Sequence, residues 1–178
     1  MTNLIVMLVL MLAPYLVVRI ASTVTRRDFD VRAAAAIGVG FLFIFTGIGH
    51  FIQTEPMVQM LPPWVPARTF LVYGTGGLEF AIAIGFLVPK FRRCSGWVAA
   101  AALVLFFPAN IYAAIQHIPM GGHAWGPVYL FVRVPLQAFI LLWVYWFAIR
   151  PRDASSYAKS LHVAQQWPAN SRCAQTKS

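Results

Sequence analysis

Five long apolar blocks, residues 4–20, 33–52, 70–88, 95–115 and 128–149, set what this chain can fold into. A bilayer's hydrocarbon core is crossed by about 20 apolar residues of α-helix. Inside that core every backbone N–H and C=O has to be bonded within its own segment or to a closed barrel, and the blocks show none of a barrel's strand alternation. The expected fold class is all-α: a polytopic membrane helix bundle, with four core transmembrane helices and one extra N-terminal helix. Composition agrees. Of 178 residues 60% are hydrophobic and 11% charged, where soluble domains carry about 25% charge.

The net charge of +9 would suit a nucleic-acid binder, but its placement indicates otherwise. Arg26, Arg27 and Arg32 lie between the first two blocks, Arg19 closes the first, and Lys90, Arg92 and Arg93 lie between the third and fourth. A further basic group begins at Arg150 after the fifth. The intervening loops hold one base, Arg68, or none. This alternation is the positive-inside pattern of successive crossings. It predicts a multi-pass protein of the bacterial cytoplasmic membrane, N-terminus outside and C-terminus in the cytoplasm. Its partner is the lipid bilayer, and no nucleic-acid footprint accompanies the charge.

The expected organisation is an N-terminal transmembrane helix at 1–20, a four-helix membrane domain at 33–149, and a disordered or surface-associated cytoplasmic tail at 150–178. The first block lacks the basic start and small-residue cleavage site of a secretory signal, so it reads as uncleaved. Pro14 interrupts it, and a tilted or peripheral position is expected. Cys94 and Cys173 fall on the reducing side and form no C-x-x-C, so both read as free thiols. "GTGG" at 74–77 neither follows a strand nor opens a soluble helix. It reads as a site of close helix approach rather than a phosphate loop.

Depth organises the polar residues. Glu79 lies about 13 Å into its helix, near mid-membrane. Arg133 sits one to two turns into the last helix, with Tyr129 and Gln137 four residues to either side on one face. Asn110 follows Pro108 near the outer end of the fourth block, and Thr46 and His50 share a face near the outer end of the second. A charge at the centre of a membrane helix costs about 2.5–3.5 kcal/mol on insertion scales, which predicts contact between Glu79 and Arg133, directly or through one water. That pair either fixes packing or belongs to a functional pocket. His50 reads first as a capping or interfacial residue and Asn110 as a partner for backbone freed by Pro108; pocket roles are the alternative. The candidate catalytic residues are Glu79 and His50. The candidate substrate-binding residues are Glu79, Asn110, Arg133, Gln137, Tyr112 and Tyr129.

The outer loops add a lid and a question. "EPMVQMLPPWVPART" at 55–69 is apolar but broken by prolines, as a segment lying on the membrane over the cluster would be. His117 and His123 in the other outer loop, with His50, put three histidines on one side. No H-E-x-x-H or other metal spacing supports a metal reading, and no metal ligands are assigned.

"TGIGHF", "PMVQMLPPWVP", "YGTGGLEFAIAIGFLVP", a basic turn and "LFFPANIYAA" follow one another in that order. Over 33–149 the chain resembles the DoxX-like integral membrane proteins of bacteria. Glu79, Pro108 and Asn110 match positions typical of that pattern, whereas Arg133 rests on depth alone. The resemblance implies a four-helix membrane bundle and, in the name-giving member, a small subunit of a thiosulfate:quinone oxidoreductase. The expected function is thus that of a quinone-linked redox subunit with a polar pocket in the outer leaflet, at most one subunit of an enzyme. The chain supplies no cofactor of its own, quinone is the ligand, and the partner is a redox subunit or a second copy. A non-catalytic membrane anchor or assembly factor is the alternative. A small-solute transporter is less favoured, because no polar groups continue the path inward.

Overall fold

A computed structural model describes residues 2–120 and 122–151. The expected tail lies outside the described residues from position 152 onward. In chain order the helices are α1 (Thr2–Thr25), α2 (Val31–Ile52), short α3 (Thr54–Gln59), α4 (Arg68–Leu87), α5 (Arg92–Ile115) and α6 (Leu130–Val144). A 3-10 segment, His123–Tyr129, leads into α6, and a π-helical turn, Tyr145–Ile149, ends it. Five of these helical stretches are long and apolar enough to cross a membrane, the last being His123–Ile149. The all-α reading therefore holds.

Several helix ends have a local cause. The Asp30 carboxylate accepts from the Ala33 N–H at 3.0 Å and caps α2. The α4 C-terminus is closed by Arg92, whose Nε donates to the Phe86 carbonyl at 3.0 Å. The π turn leaves Arg150 N–H bonded five residues back to Tyr145, and Arg32 Nη2 donates to the carbonyls of Trp146 and Arg150 at 3.0 and 2.6 Å. The Arg150 guanidinium lies 4.5 Å over the Trp146 ring. Thus basic residues from the segments expected to be cytoplasmic also finish helix ends.

Packing follows small residues, as it must where lipid is as apolar as leucine. A Cβ on Gly76 would come within 2.7 Å of His50 Cβ, and one on Gly47 within 3.4 Å of the Gly76 carbonyl. These glycines let α4 seat directly on α2. By contrast, Gly74 and Gly77 have nothing nearby, so only one glycine of the "GTGG" stretch serves the approach. A Cβ on Gly85 would overlap the Ser95 hydroxyl, which draws α5 onto α4. Between them run Leu42, Phe43, Ile82, Phe86, Ala99, Ala102 and Val144, a continuous core.

The first helix is the least enclosed of the five, with 11% of its span buried. It continues through Pro14 to Thr25 and packs along α2. Met11 is fully buried (0% exposed) against Gly38, where a side chain would meet the Met11 carbonyl. Tyr15 meets Trp143 edge-on at 5.1 Å, tying α1 to α6. Sequence hydropathy cannot show this, because a face packed on protein and a face turned to lipid are equally apolar. Ile5, Val24, Phe70, Leu105 and Phe131 point outward all round the bundle, an apolar surface suited to lipid rather than water.

Candidate functional site

At the end of the bundle away from the arginine-capped termini, the helices part around a cavity of about 630 Å³. Small-molecule sites usually fall between about 300 and 1,000 Å³ and are apolar with a few convergent polar groups. The walls are mostly apolar, with leucine, phenylalanine and methionine prominent, and come from α1, α2, α4, α5 and α6. Met57, Met60 and Leu61, from α3 and the residues just after it, close one side. Trp64, 80% exposed, lies beyond them. The lid expected at 55–69 therefore contributes to the cavity through its α3 end.

Of the residues expected to form a site, Glu79, His50, Asn110, Arg133, Gln137 and Tyr129 all line this cavity. Tyr112 is half-buried and is not among the lining residues. The direct Glu79–Arg133 contact is not formed: no ion pair joins them among the described residues, and the basic group nearest Glu79 is His50, with Nε2 3.7 Å from Oε2. The reason is azimuth. α4 packs on α2 through Gly47 and Gly76, whereas α6 packs on α5, so the carboxylate and the guanidinium face one cavity from different walls. Depth placed them at one level but could not place them side by side.

His50 is held firmly. Its Nδ1 donates to the Val72 carbonyl at 3.0 Å, and Thr75 Oγ1 lies 3.2 Å from the same nitrogen. A carbonyl only accepts, so Nδ1 carries a proton and Nε2 is the atom turned to Glu79. The contact is an ion pair only when both ring nitrogens are protonated. Asn110 Nδ2 donates to the Phe106 carbonyl at 2.8 Å, four residues back. Proline at 108 leaves the carbonyl of residue 104 without its donor, so Asn110 serves a different carbonyl from the one the sequence suggested. Gln137 Nε2 crosses to the Leu103 carbonyl at 2.6 Å and ties α6 to α5.

The residue sequence reasoning misplaced is His123. Treated as a loop histidine, it is 4% exposed and lines the cavity. Its Nδ1 donates to the Met120 carbonyl at 2.7 Å, and its ring meets Tyr129 edge-on at 4.8 Å. The 3-10 segment turns at Gly126, where φ is +69°, a conformation open chiefly to glycine. A helical period drawn back from Arg133 cannot reach His123 through that turn; the glycines at 122 and 126 were the available signal. His117, by contrast, packs against Gly126 and does not line the cavity.

Among the described residues, five buried side-chain polar atoms lack a hydrogen-bond partner: Ser22 Oγ, Glu79 Oε2, His123 Nε2, Arg133 Nε and Trp143 Nε1. Three of the five, Glu79, His123 and Arg133, line the same cavity. An unmet buried polar group costs about 1–3 kcal/mol, so three together mark a place prepared for something else. No group of three or more His, Cys, Asp or Glu placed to hold a metal occurs among the described residues.

Residues 39–148 match the family described as a domain of unknown function, DUF8561. The chain belongs to that family. No curated protein and no solved structure matches it. The DUF8561 region begins within α2, so the cavity residues from Leu42 to Ile140 lie inside it, while Asn3, Leu4 and Met7 of α1 complete the wall from outside.

Proposed function

We propose that this DUF8561 protein is a quinone-linked membrane subunit whose outer-leaflet cavity takes the headgroup of a lipid-soluble quinone. The observation that carries the reading is the convergence of Glu79, His123 and Arg133, each with an unpartnered buried atom, in one largely apolar cavity between membrane-spanning helices. A quinone has a flat apolar ring with oxygens at opposite ends, so polar groups on separate walls suit it better than one polar patch would. Its prenyl tail belongs in the lipid that surrounds the bundle. The likeness to DoxX-like proteins narrows a lipid-soluble ligand to this class. In this reading Arg133 bonds a headgroup oxygen, Gln137 and Asn110 set the walls, and Glu79 with His50 holds or accepts the headgroup proton. Electrons pass to a redox-carrying partner subunit.

Thermal unfolding of the full chain in detergent tests it, because a ligand of the native state must raise the melting temperature. A short-chain benzoquinone, supplied in either redox form, should raise it, and Arg133→Met should abolish the rise. No shift with either form at saturating concentration would give the lead to the anchor or assembly-factor reading.

The orientation belongs to the same proposal: the cavity opens to the outer leaflet of a bacterial cytoplasmic membrane, and the arginine-capped helix ends face the cytoplasm. Exposed Cys94 offers an internal control. An impermeant maleimide applied to intact cells should label a Trp64→Cys variant and leave the wild type unlabelled until the cells are opened. Labelling of the wild type in intact cells would invert the topology.

A further inference from the structure

Resting on the quinone reading above, we propose that the cavity selects the reduced, hydroxyl-bearing form of its ligand, a hydroquinol, over the oxidised quinone, because the polar atoms it turns inward are mainly acceptors.

The argument is a census of protons. Both histidines give their Nδ1 proton to a backbone carbonyl, His50 to Val72 at 3.0 Å and His123 to Met120 at 2.7 Å. In the neutral ring each therefore offers Nε2 as a lone pair. Asn110 and Gln137 direct amide N–H groups to the carbonyls of Phe106 and Leu103, which leaves each side-chain oxygen without a hydrogen-bond donor. Thr46 donates back to its own helix, to the carbonyl of Leu42 at 3.2 Å or of Phe43 at 3.3 Å. Glu79 Oε2 accepts from nothing, and at 3.7 Å from His50 Nε2 it is beyond hydrogen-bond range. Arg133 is the committed donor among the less exposed lining residues; the amides of Asn3 and Gln53, both exposed, and the Tyr129 hydroxyl can serve either way.

A quinone carbonyl only accepts, so it can satisfy Arg133 and leaves Glu79 Oε2 and His123 Nε2 unmet. A hydroquinol hydroxyl both donates and accepts. One such oxygen can accept from Arg133 while donating to a carboxylate or imidazole nitrogen, and the second hydroxyl provides another donor. Leaving a buried acceptor unmet typically weakens binding by roughly tenfold or more.

The test is equilibrium binding to the full chain in detergent, without oxygen, of three probes: a short-chain benzoquinone, its hydroquinol, and the hydroquinol's dimethyl ether. The ether keeps both oxygens and loses both protons. The hydroquinol should bind about tenfold tighter than the quinone, and the ether no tighter than the quinone. His123→Asn keeps a donor near the Nδ1 position and removes the Nε2 acceptor; it should weaken the hydroquinol about tenfold and leave the quinone unchanged. Equal affinities, tighter quinone, or an ether as tight as the hydroquinol would overturn the selectivity while the quinone site stood. Failure of all three probes to bind would overturn the site reading and this inference together.

Discussion

The two ends of the bundle handle their arginines in opposite ways. At the arginine-capped end Arg32 and Arg92 donate to the carbonyls that finish α6 and α4, and Arg150 stacks on Trp146. At the cavity end Arg133 Nε is buried with no hydrogen-bond partner, in a cavity where Glu79 Oε2 and His123 Nε2 likewise lack a hydrogen bond. One end is complete in itself and the other is not. A charged group buried among helices costs more than one at an exposed helix end, so the cavity end is where the proposed ligand would be needed, while the other end is already satisfied by its own backbone.

The largest test of this contrast strikes the approach of α2 and α4 on which the cavity rests. Gly76→Val should cost about 3 kcal/mol, since a side chain there meets His50 and Phe51. Gly77→Val, one residue on and facing open space, should cost little. Thermal unfolding in detergent distinguishes them, and equal losses would break the packing account. Next in size is the arginine-capped end. Arg32→Gln removes two charge-assisted hydrogen bonds and should cost about 2 kcal/mol, with ligand binding unchanged.

Smaller effects are expected at the cavity end. Breaking a buried ion pair usually costs about 3–5 kcal/mol, yet Glu79→Gln should cost under about 1 kcal/mol, because Oε2 has no hydrogen bond to lose. A loss of the larger size would mean that Glu79 and His50 form a tight charged pair. Last, Arg133→Met should not destabilise the fold and should gain up to about 1 kcal/mol, because it removes an unmet buried N–H, while removing the ligand-dependent rise in melting temperature. A severe loss of stability in that variant would assign Arg133 to the scaffold.

Much of the fold was legible because hydrocarbon leaves few options for the backbone: the five crossings follow from block length alone. The polar level of the site was legible too, since Glu79, Asn110, Arg133 and Gln137 could be placed by counting turns. Direction around each helix was not. Whether Glu79 meets Arg133 or His50 depends on Gly47 and Gly76, whose effect is a shape match between two helices far apart in sequence. The packing of α1 was hidden by the sameness of its faces; Met11 and Ile5 read alike in hydropathy, yet one is in the core and the other on the lipid side. His123 was hidden because the 3-10 entry and its positive-φ Gly126 break the helical count.

The central proposal is that the cavity end holds a quinone-type headgroup between α4, α6 and the 3-10 segment. Photolabelling with an azide-bearing short-chain quinone tests it most directly, followed by proteolysis and mass spectrometry of the full chain. The account predicts label on the α4 peptide containing Glu79 and on the stretch from His123 to Arg133, with loss of that label when unlabelled hydroquinol is in excess. Label confined to lipid-facing positions such as Leu105 and Phe131, indifferent to that competitor, would contradict it.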